Sequence, residues 1–464
     1  MINLAPLEPH IPILKKLADL SDNDELYLVG GAVRDLLLGR KILDLDFTLK
    51  GSGIRMASQA SRKLKGAFVP LSEKDDEARV VLRKELILDF RGFRTSILDD
   101  LADRDFTINA MALPLKSIIN GDKPKLIDPF GGINDLRKRV IKTTGASSIS
   151  NDPLRIFRAF RFAAQLNGNI HPSLLLEAER TLLNGVARER IAYEFMMIMA
   201  CTPVYHIINQ MITTGLLQQI FPFPQFWNDF QVRSHSLLVL ATLDRILTEK
   251  RFSSVIQELI NDIMADSKRL ALLKIAALFH DVSKPETRIR AEDGSMHFYG
   301  HDTRGAKKMR WALSKIMRFS NEDSERVQEM VARHMHLHLI ATAPQLTERA
   351  MRRFTRTCEN TAKDIMILDL ADGFATAGRT RHLERTIVDI LNLAAEDAKR
   401  AAFVPLVNGH DLINMGLKPG PLFKKILSEL EELQWERKIT TKEEGLKLIR
   451  EKIASGEYSF PEPN

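Results

Sequence analysis

Near Ser150 the hydrophobic pattern of this chain changes period, and that change constrains the fold more than any other feature. Before it, short apolar runs rich in β-formers recur between residues 26 and 90: LYLVG, DLDFTL, FVPL, RVVL and LILDF. After it come longer stretches with apolar residues three and four apart: NDPLRIFRAFRFAAQL, PSLLLEAERTLLNGV and RERIAYEFMMIMA. A period near two builds strands and a period near 3.6 builds helices. The chain therefore reads as an α/β head with a mixed sheet over residues 1–142, followed by an all-α remainder. Punctuation by TPVYHII and FPFPQFW divides that remainder into a neck (143–225), a histidine-rich body (226–375) and a tail (376–464). At 464 residues, several units are expected.

Composition narrows the function classes. Only Cys201 and Cys358 occur, which argues against a disulfide scaffold or a thiolate zinc site and suits a reducing compartment. No apolar run approaches a membrane span, and MINLAPLEPHIPILKKL lacks the basic-then-apolar order of a signal peptide. A cytoplasmic protein that does not touch membrane is expected. The net charge of +7 suits a polyanionic partner, although a solvated basic surface accounts for it equally well.

The stretch YLVGGAVRDLLLGRKILDLDFTL, residues 27–49, is the most informative. Gly30-Gly31 ends an apolar strand and opens an amphipathic helix. Glycine lets a backbone approach a phosphate closely, and a helix start offers N–H groups to an anion. Asp44 and Asp46 then stand two apart. On a strand both carboxylates share one face, while Leu43, Leu45 and Phe47 face the core. A bare D-x-D is most often a solvated strand edge. Beside a phosphate-ready turn it points to divalent-metal ligands, since hard Mg²⁺ prefers oxygen donors. Asp89, in LILDF, is the candidate third carboxylate.

Five segments in order then resemble one family: LVGGAVRDLLLG…DLDF, RDFTINAMAL (104–113), LIDPFGGINDLRKRVI (126–141), NDPLRIFRAFRFAAQL (151–166) and ERIAYE (189–194). They are similar to the class II tRNA nucleotidyltransferases, the bacterial group of CCA-adding enzymes and poly(A) polymerases. The resemblance covers about the first two hundred residues. It implies that Asp44 and Asp46 hold Mg²⁺ for two-metal nucleotidyl transfer, and that Gly30, Gly31 and Arg34 cradle the triphosphate. Arg104, Asp105 and Asn109 match a segment that contacts sugar and phosphates. The family writes Arg-Arg-Asp where this chain has Asp103-Arg104-Asp105.

Base selection is expected from Asp152 and Arg155, three apart at the start of a helix capped by Ser150 or Asn151. A carboxylate accepts and a guanidinium donates. Cytosine and adenine each set an amino donor beside a ring-nitrogen acceptor; guanine and uracil reverse that order. The pair therefore selects C or A. Residues 151–200 hold six arginines and no lysine. Arg158 and Arg161 extend the Arg155 track toward phosphates, and Arg190 is expected to pair with Glu194. The connection from Phe90 to Arg104 is short for a CCA-adding member, which favours an enzyme that adds only CC or only A.

Seven of the twelve histidines lie between His235 and His338. His235 opening a helix, His280-Asp281 ending one, then His301, His334 and Asp372 resemble an HD domain, a helical metal-dependent phosphohydrolase fold. The resemblance implies a second divalent metal on His235, His280, Asp281 and Asp372. In the tail a turn at Gly416 and Pro419-Gly420-Pro421 leads to Lys424 and Lys425, candidate contacts to an RNA backbone. The expected partners are a tRNA 3′ end, CTP and ATP. The alternatives are a poly(A) polymerase, or an HD phosphohydrolase whose head only binds RNA. Nothing in the sequence speaks to oligomeric state.

Overall fold

A computed structural model describes residues 2–21, 25–82, 86–120, 124–145, 148–378, 380–402, 405–417, 420–435, 438–455 and 457–458. The chain divides into two units, Met1–Val388 and Asp389–Asn464.

The first unit opens with one six-stranded sheet. Its strands are β1 (Leu26–Val29), β2 (Asp44–Lys50), β3 (Ala67–Ser72), β4 (Glu77–Val81), β5 (Ile87–Phe93) and β6 (Ala112–Pro114). Their order across the sheet is β3-β4-β5-β2-β1-β6. β2 and β5 run parallel and the other pairs antiparallel, so the sheet is mixed. Five strands are the apolar runs of the sequence. The sixth has three residues and ends in proline, too short to leave a period.

Alternation decides the faces. Leu45, Phe47, Leu88 and Phe90 are buried, and the Phe47 and Phe90 rings stack at 5.2 Å. Asp46 and Asp89 therefore project from the opposite face. Leu43 corrects the expectation: it precedes the strand and is 64% exposed, because strand pairing begins only at Asp44. Helix α1 (Gly30–Leu37) follows β1 directly, and α2 (Gly53–Leu64) packs on β4 and β5. Helix α3 (Ile97–Ala102) begins at the Ser96 cap, three residues past β5.

Helices then take over. α4 (Arg155–Leu166) packs on α5 (Arg188–Met199) and carries Phe157, Phe160, Ala163 and Leu166 into the core. Further along come α6 (Phe230–Thr248), α7 (Ser267–Phe279), α8 (His301–Trp311), α9 (Asn321–Arg333) and α10 (Ala362–Ala377). From Leu270 onward α7 is buried all round, with its one charge there, Lys274, paired to Asp244 at 2.7 Å, and it sits among α5, α6, α9 and α10. A helix of that kind has to be central. The segment RIRAEDGSMHFYGHDT is more ordered than a loop: Arg288–Arg290 pairs with Met296–Phe298, and His301 starts α8.

The second unit has its own core of Val407, Leu412, Ile426, Leu430, Ile439, Ile449 and Tyr458. Its helix α11 (Pro421–Trp435) carries Lys424 and Lys425, both exposed, in its first turns. Gly416 turns at φ +86°, whereas Pro419 lies outside the described residues. Among the described residues, no helix is long and apolar enough to cross a membrane.

Candidate active site and histidine cluster

β1 turns into α1 at Gly30, whose φ of +62° lies in the left-handed region that glycine adopts freely. A Cβ there would stand 2.9 Å from Asp46 Oδ2 and 3.0 Å from Arg104 Nη1. The first turn of α1 thus lies against the Asp46 carboxylate, and the Ala32 N–H donates to Oδ2 at 3.4 Å. Gly30→Ala is expected to cost about 1–2 kcal/mol from the left-handed backbone alone, and to push Asp46 or Arg104 aside. Thermal melts and initial rates together check this; an unchanged pair of values contradicts it.

Val29, Asp46, Asp89 and Arg79 form one line across four strands. Asp44 projects from the same face two residues before Asp46. Burial raises the pKa of Asp46, while Arg104 and the Ala32 and Gly31 N–H groups pull the other way. Burial and then Asp89 raise the pKa of Asp44. These carboxylates are short of positive charge, the condition that a hard divalent cation relieves. Asp89 differs. Arg79 Nε and Nη2 donate to its two oxygens at 2.8 and 2.9 Å. Asp46, Asp89, Arg104, Asn109 and Arg158 help to line a cavity of ≈ 240 Å³.

A hydrogen-bonded chain leads from this cavity to the neck. Arg34 Nη1 donates to Asn109 Oδ1 at 2.8 Å, and Asn109 Nδ2 to Asp105 Oδ1 at 3.0 Å. Arg158 Nε and Nη2 donate to Asp105 Oδ2 at 2.9 and 2.5 Å. Arg104 turns to Asp100 instead, at 3.0 and 3.2 Å. The guanidinium groups of Arg34, Arg158 and Arg161 all lie within 6 Å of the Phe162 ring, at 5.0, 5.7 and 4.6 Å. Burial works to raise the pKa of Asp105, but Arg158 and Asn109 hold it below the usual carboxylate value. A depressed carboxylate contributes stability above its unfolded pKa and loses it as pH falls through the folded one. Asp105→Ala should remove ~2–3 kcal/mol, since it deletes hydrogen bonds to a charged partner. Denaturant melts at neutral pH measure this, and an unchanged midpoint contradicts it.

The base-selection pair departs from expectation. Asp152 precedes Pro153, which disfavours helical backbone at Asp152. α4 accordingly starts at Arg155, with Leu154 and not Ser150 or Asn151 at its N-cap. Ser148–Asn151 is a separate short helical turn. Asp152 Oδ1 accepts from Leu154 N at 3.1 Å, and Oδ2 from Arg190 Nη2 at 2.9 Å. Arg155 donates to Ser148 Oγ at 2.8 Å and to the Asp103 carbonyl at 3.1 Å. Arg190 therefore does not brace Glu194. Glu194 points inward and pairs with Arg161 at 3.1 Å, while Arg190 stays exposed.

The histidine cluster gathers from five helix segments. His235 lies in the second turn of α6, not at its start, because Asp229 caps that helix. His280 caps the C-terminal end of α7, with Asp281 next to it. His301 begins α8, His334 follows α9, and Asp372 sits in α10. His235 Nε2 lies 3.0 Å from Asp372 Oδ1 and 3.6 Å from Asp281 Oδ2. His280 Nε2 is 3.2 Å from Asp281 Oδ2 and 3.8 Å from Asp372 Oδ1. Burial opposes charge on His280, yet Asp281 and Asp372 raise its pKa to about 9. Burial and the nearby His280 charge push His334 down to about 4. Imidazoles and carboxylates converging in this way can hold divalent metal.

Comparison with known proteins decides the family. The Poly A polymerase head domain matches residues 26–97 and 88–142. The probable RNA and SrmB-binding site of polymerase A matches 175–227, and the HD domain matches 232–377. A CC-adding tRNA nucleotidyltransferase of Thermus thermophilus is 30% identical over 455 residues, covering 94% of this chain and 97% of that protein. The chain belongs to the tRNA nucleotidyltransferase family. An A-adding tRNA nucleotidyltransferase of Deinococcus radiodurans is 29% identical, covering 91% and 94% of the two chains. In fold, this nucleotidyltransferase is similar to the Thermotoga maritima CCA-adding enzyme complexed with tRNA_CCA. That match has a TM-score of 0.59 at 22% identity and covers 96% and 95% of the chains. Membership makes the chain an enzyme of tRNA 3′-end nucleotide addition, and implies dependence on divalent metal. Sequence reasoning missed Arg79, Asp100 and Phe162 in this nucleotidyltransferase. Only Asp100 had a signal, its i,i+4 spacing to Arg104.

Proposed function

We propose that this nucleotidyltransferase adds part of a CCA end, either CC or the final A, from CTP or ATP to a tRNA 3′ end. The observation that carries the reading is the Asp44–Asp46 carboxylate face set against the Gly30 turn and the start of α1. Asp44 and Asp46 would hold Mg²⁺, which supplies a lowered pKa for the attacking 3′-hydroxyl and charge neutralisation for the leaving pyrophosphate. Gly30 and Gly31 leave room for a triphosphate close to the backbone. Arg104 faces Gly30 and contributes positive charge there. Arg34, Asn109, Asp105 and Arg158 hold head and neck in one geometry, so that the sugar and base meet fixed partners. Asp89, tied to Arg79, orients this face and offers its remaining lone pairs.

Asp152 and Arg155 read the base. Their present contacts leave Arg155 with further donors and Asp152 with further lone pairs. Two facts support partial addition. Only three residues separate β5 from α3, and the CC-adding enzyme of Thermus thermophilus and the A-adding enzyme of Deinococcus radiodurans each match over more than 90% of both chains. In the HD domain, His235, His280, Asp281 and Asp372 would hold a second divalent metal suited to phosphate-ester hydrolysis. Lys424 and Lys425 would meet the tRNA backbone. The free Cys201 and Cys358 suit a cytoplasmic setting.

The test compares a tRNA transcript with an unstructured RNA of the same 3′ sequence, each given ATP and CTP with Mg²⁺ or with chelator. Addition of one or two residues to the tRNA, abolished by chelator, is expected. Long A tails on the unstructured RNA would overturn the reading.

A further inference from the structure

We infer that Arg91 binds the last phosphodiester of the tRNA 3′ end, on the side of Asp46 away from the nucleotide triphosphate. The inference rests on the proposed roles of Asp44, Asp46 and the Gly30 turn, and assigns the opposite end of the same cavity.

Strand register sets the two sides. β1 pairs antiparallel with β2, placing Val29 opposite Asp46 and Tyr27 opposite Thr48. Gly30 therefore lies past Asp46 in the direction of Asp44. β5 pairs parallel with β2, placing Asp89 opposite Asp46 and Arg91 opposite Thr48. Arg91 thus stands about 7 Å further along the sheet, on the side away from Gly30. Residues two apart on a strand share a face, so Arg91 projects with Asp89 and lines the cavity together with Glu77 and Leu71.

That side has a chemical meaning. In nucleotidyl transfer the attacking and leaving oxygens stand roughly in line, on opposite sides of the phosphorus. With pyrophosphate leaving over the Gly30 turn, the 3′-hydroxyl arrives from the Arg91 side. The phosphate just before it in the RNA chain follows it there and meets a guanidinium.

Arg91 also has donors to spare. Arg79 gives two hydrogen bonds to Asp89, and Arg104 gives two to Asp100. Arg91 has only longer ion pairs, from Nε to Glu77 Oε1 at 3.5 Å and to Asp100 Oδ1 at 3.7 Å. Among the described residues its side chain makes no hydrogen bond. A guanidinium carries five N–H donors in a planar fork that matches a phosphate. The two carboxylates hold the group in place without saturating it. Its side chain is 29% exposed, so RNA can reach it. Leu71, 48% exposed at the same end, offers an apolar surface to the terminal nucleoside.

The test measures Kd for a tRNA ending at C across a salt series, and KM for the nucleotide at saturating tRNA. Arg91→Gln should weaken tRNA binding about tenfold, the loss of one charged hydrogen-bonded contact. The slope of log K against log salt should fall by about 0.7, the share of one single-strand phosphate. KM for the nucleotide should stay the same. A tRNA with a neutral methylphosphonate at its last linkage should show the same loss on the unsubstituted chain, and no further loss on Arg91→Gln. Equal methylphosphonate losses on both chains would overturn the inference. So would a raised nucleotide KM with tRNA binding unchanged. If Arg91→Gln fails to fold, the unsubstituted chain decides, and methylphosphonate without effect overturns the assignment. A chain that binds tRNA but extends no end overturns the proposed function as well. Extension with unaltered tRNA binding by Arg91→Gln overturns this assignment alone.

Discussion

Asp46→Ala lowers the rate of nucleotide addition by about three orders of magnitude, ~4 kcal/mol of barrier, in single-turnover extension of a labelled tRNA. The expectation follows from position. Asp46 stands in line with Asp89, beneath the Gly30 turn and against Arg104. Asp89 does not take over that position, because Arg79 donates to both of its oxygens and fixes them. Asp44→Ala should behave alike. Stability moves the other way. The folded pKa of Asp46 is raised by burial, so its charge destabilises the fold at any pH above both the folded and unfolded values. Asp46→Asn is therefore expected to raise the melting temperature near neutral pH while removing activity. A rate loss under tenfold would sink the metal-ligand role, and a lower melting temperature would mean that Asp46 instead holds the head together.

Asp152→Ala and Arg155→Ala relax base choice. Each hydrogen-bonded contact to a base edge discriminates by ~1–3 kcal/mol, so UTP and GTP incorporation should rise by about tenfold to a hundredfold relative to the correct nucleotide. In the proposed reading, Arg155→Ala removes the donor that would face a ring acceptor. Asp152→Ala removes the acceptor that would face the amino group, and also releases Arg190. Measured as ratios of kcat/KM for four nucleotides on one tRNA, the two variants should err in the same direction. Preserved ratios with uniformly lower rates would move base choice to other residues and leave this pair a structural role.

The parts legible in the sequence were those set by local period. Alternation in DLDFTL placed both aspartates on one face, and the Gly-Gly turn announced the start of α1. Order along the chain brought out the histidine run. Long-range partners were not legible. Arg79 reaches Asp89, and Asp105 reaches Arg158, through strand register and helix docking that no spacing records. Pro153 bars Asp152 from helical backbone, so the helix carrying Arg155 starts at Arg155 itself and not at the Ser150 or Asn151 cap that the polar run suggests. The Arg190–Glu194 spacing was equally misleading, because i,i+4 neighbours pair only when both face the same medium.

The most direct measurement uses one tRNA transcript prepared with three ends: at the discriminator base, at C and at CC. Each is incubated with Mg²⁺ and CTP, ATP or both, and read at single-nucleotide resolution. Addition of CC to the first end, or of one A to the last, with termination after it, is the predicted result. Indefinite A addition, or no extension of any end, would contradict it.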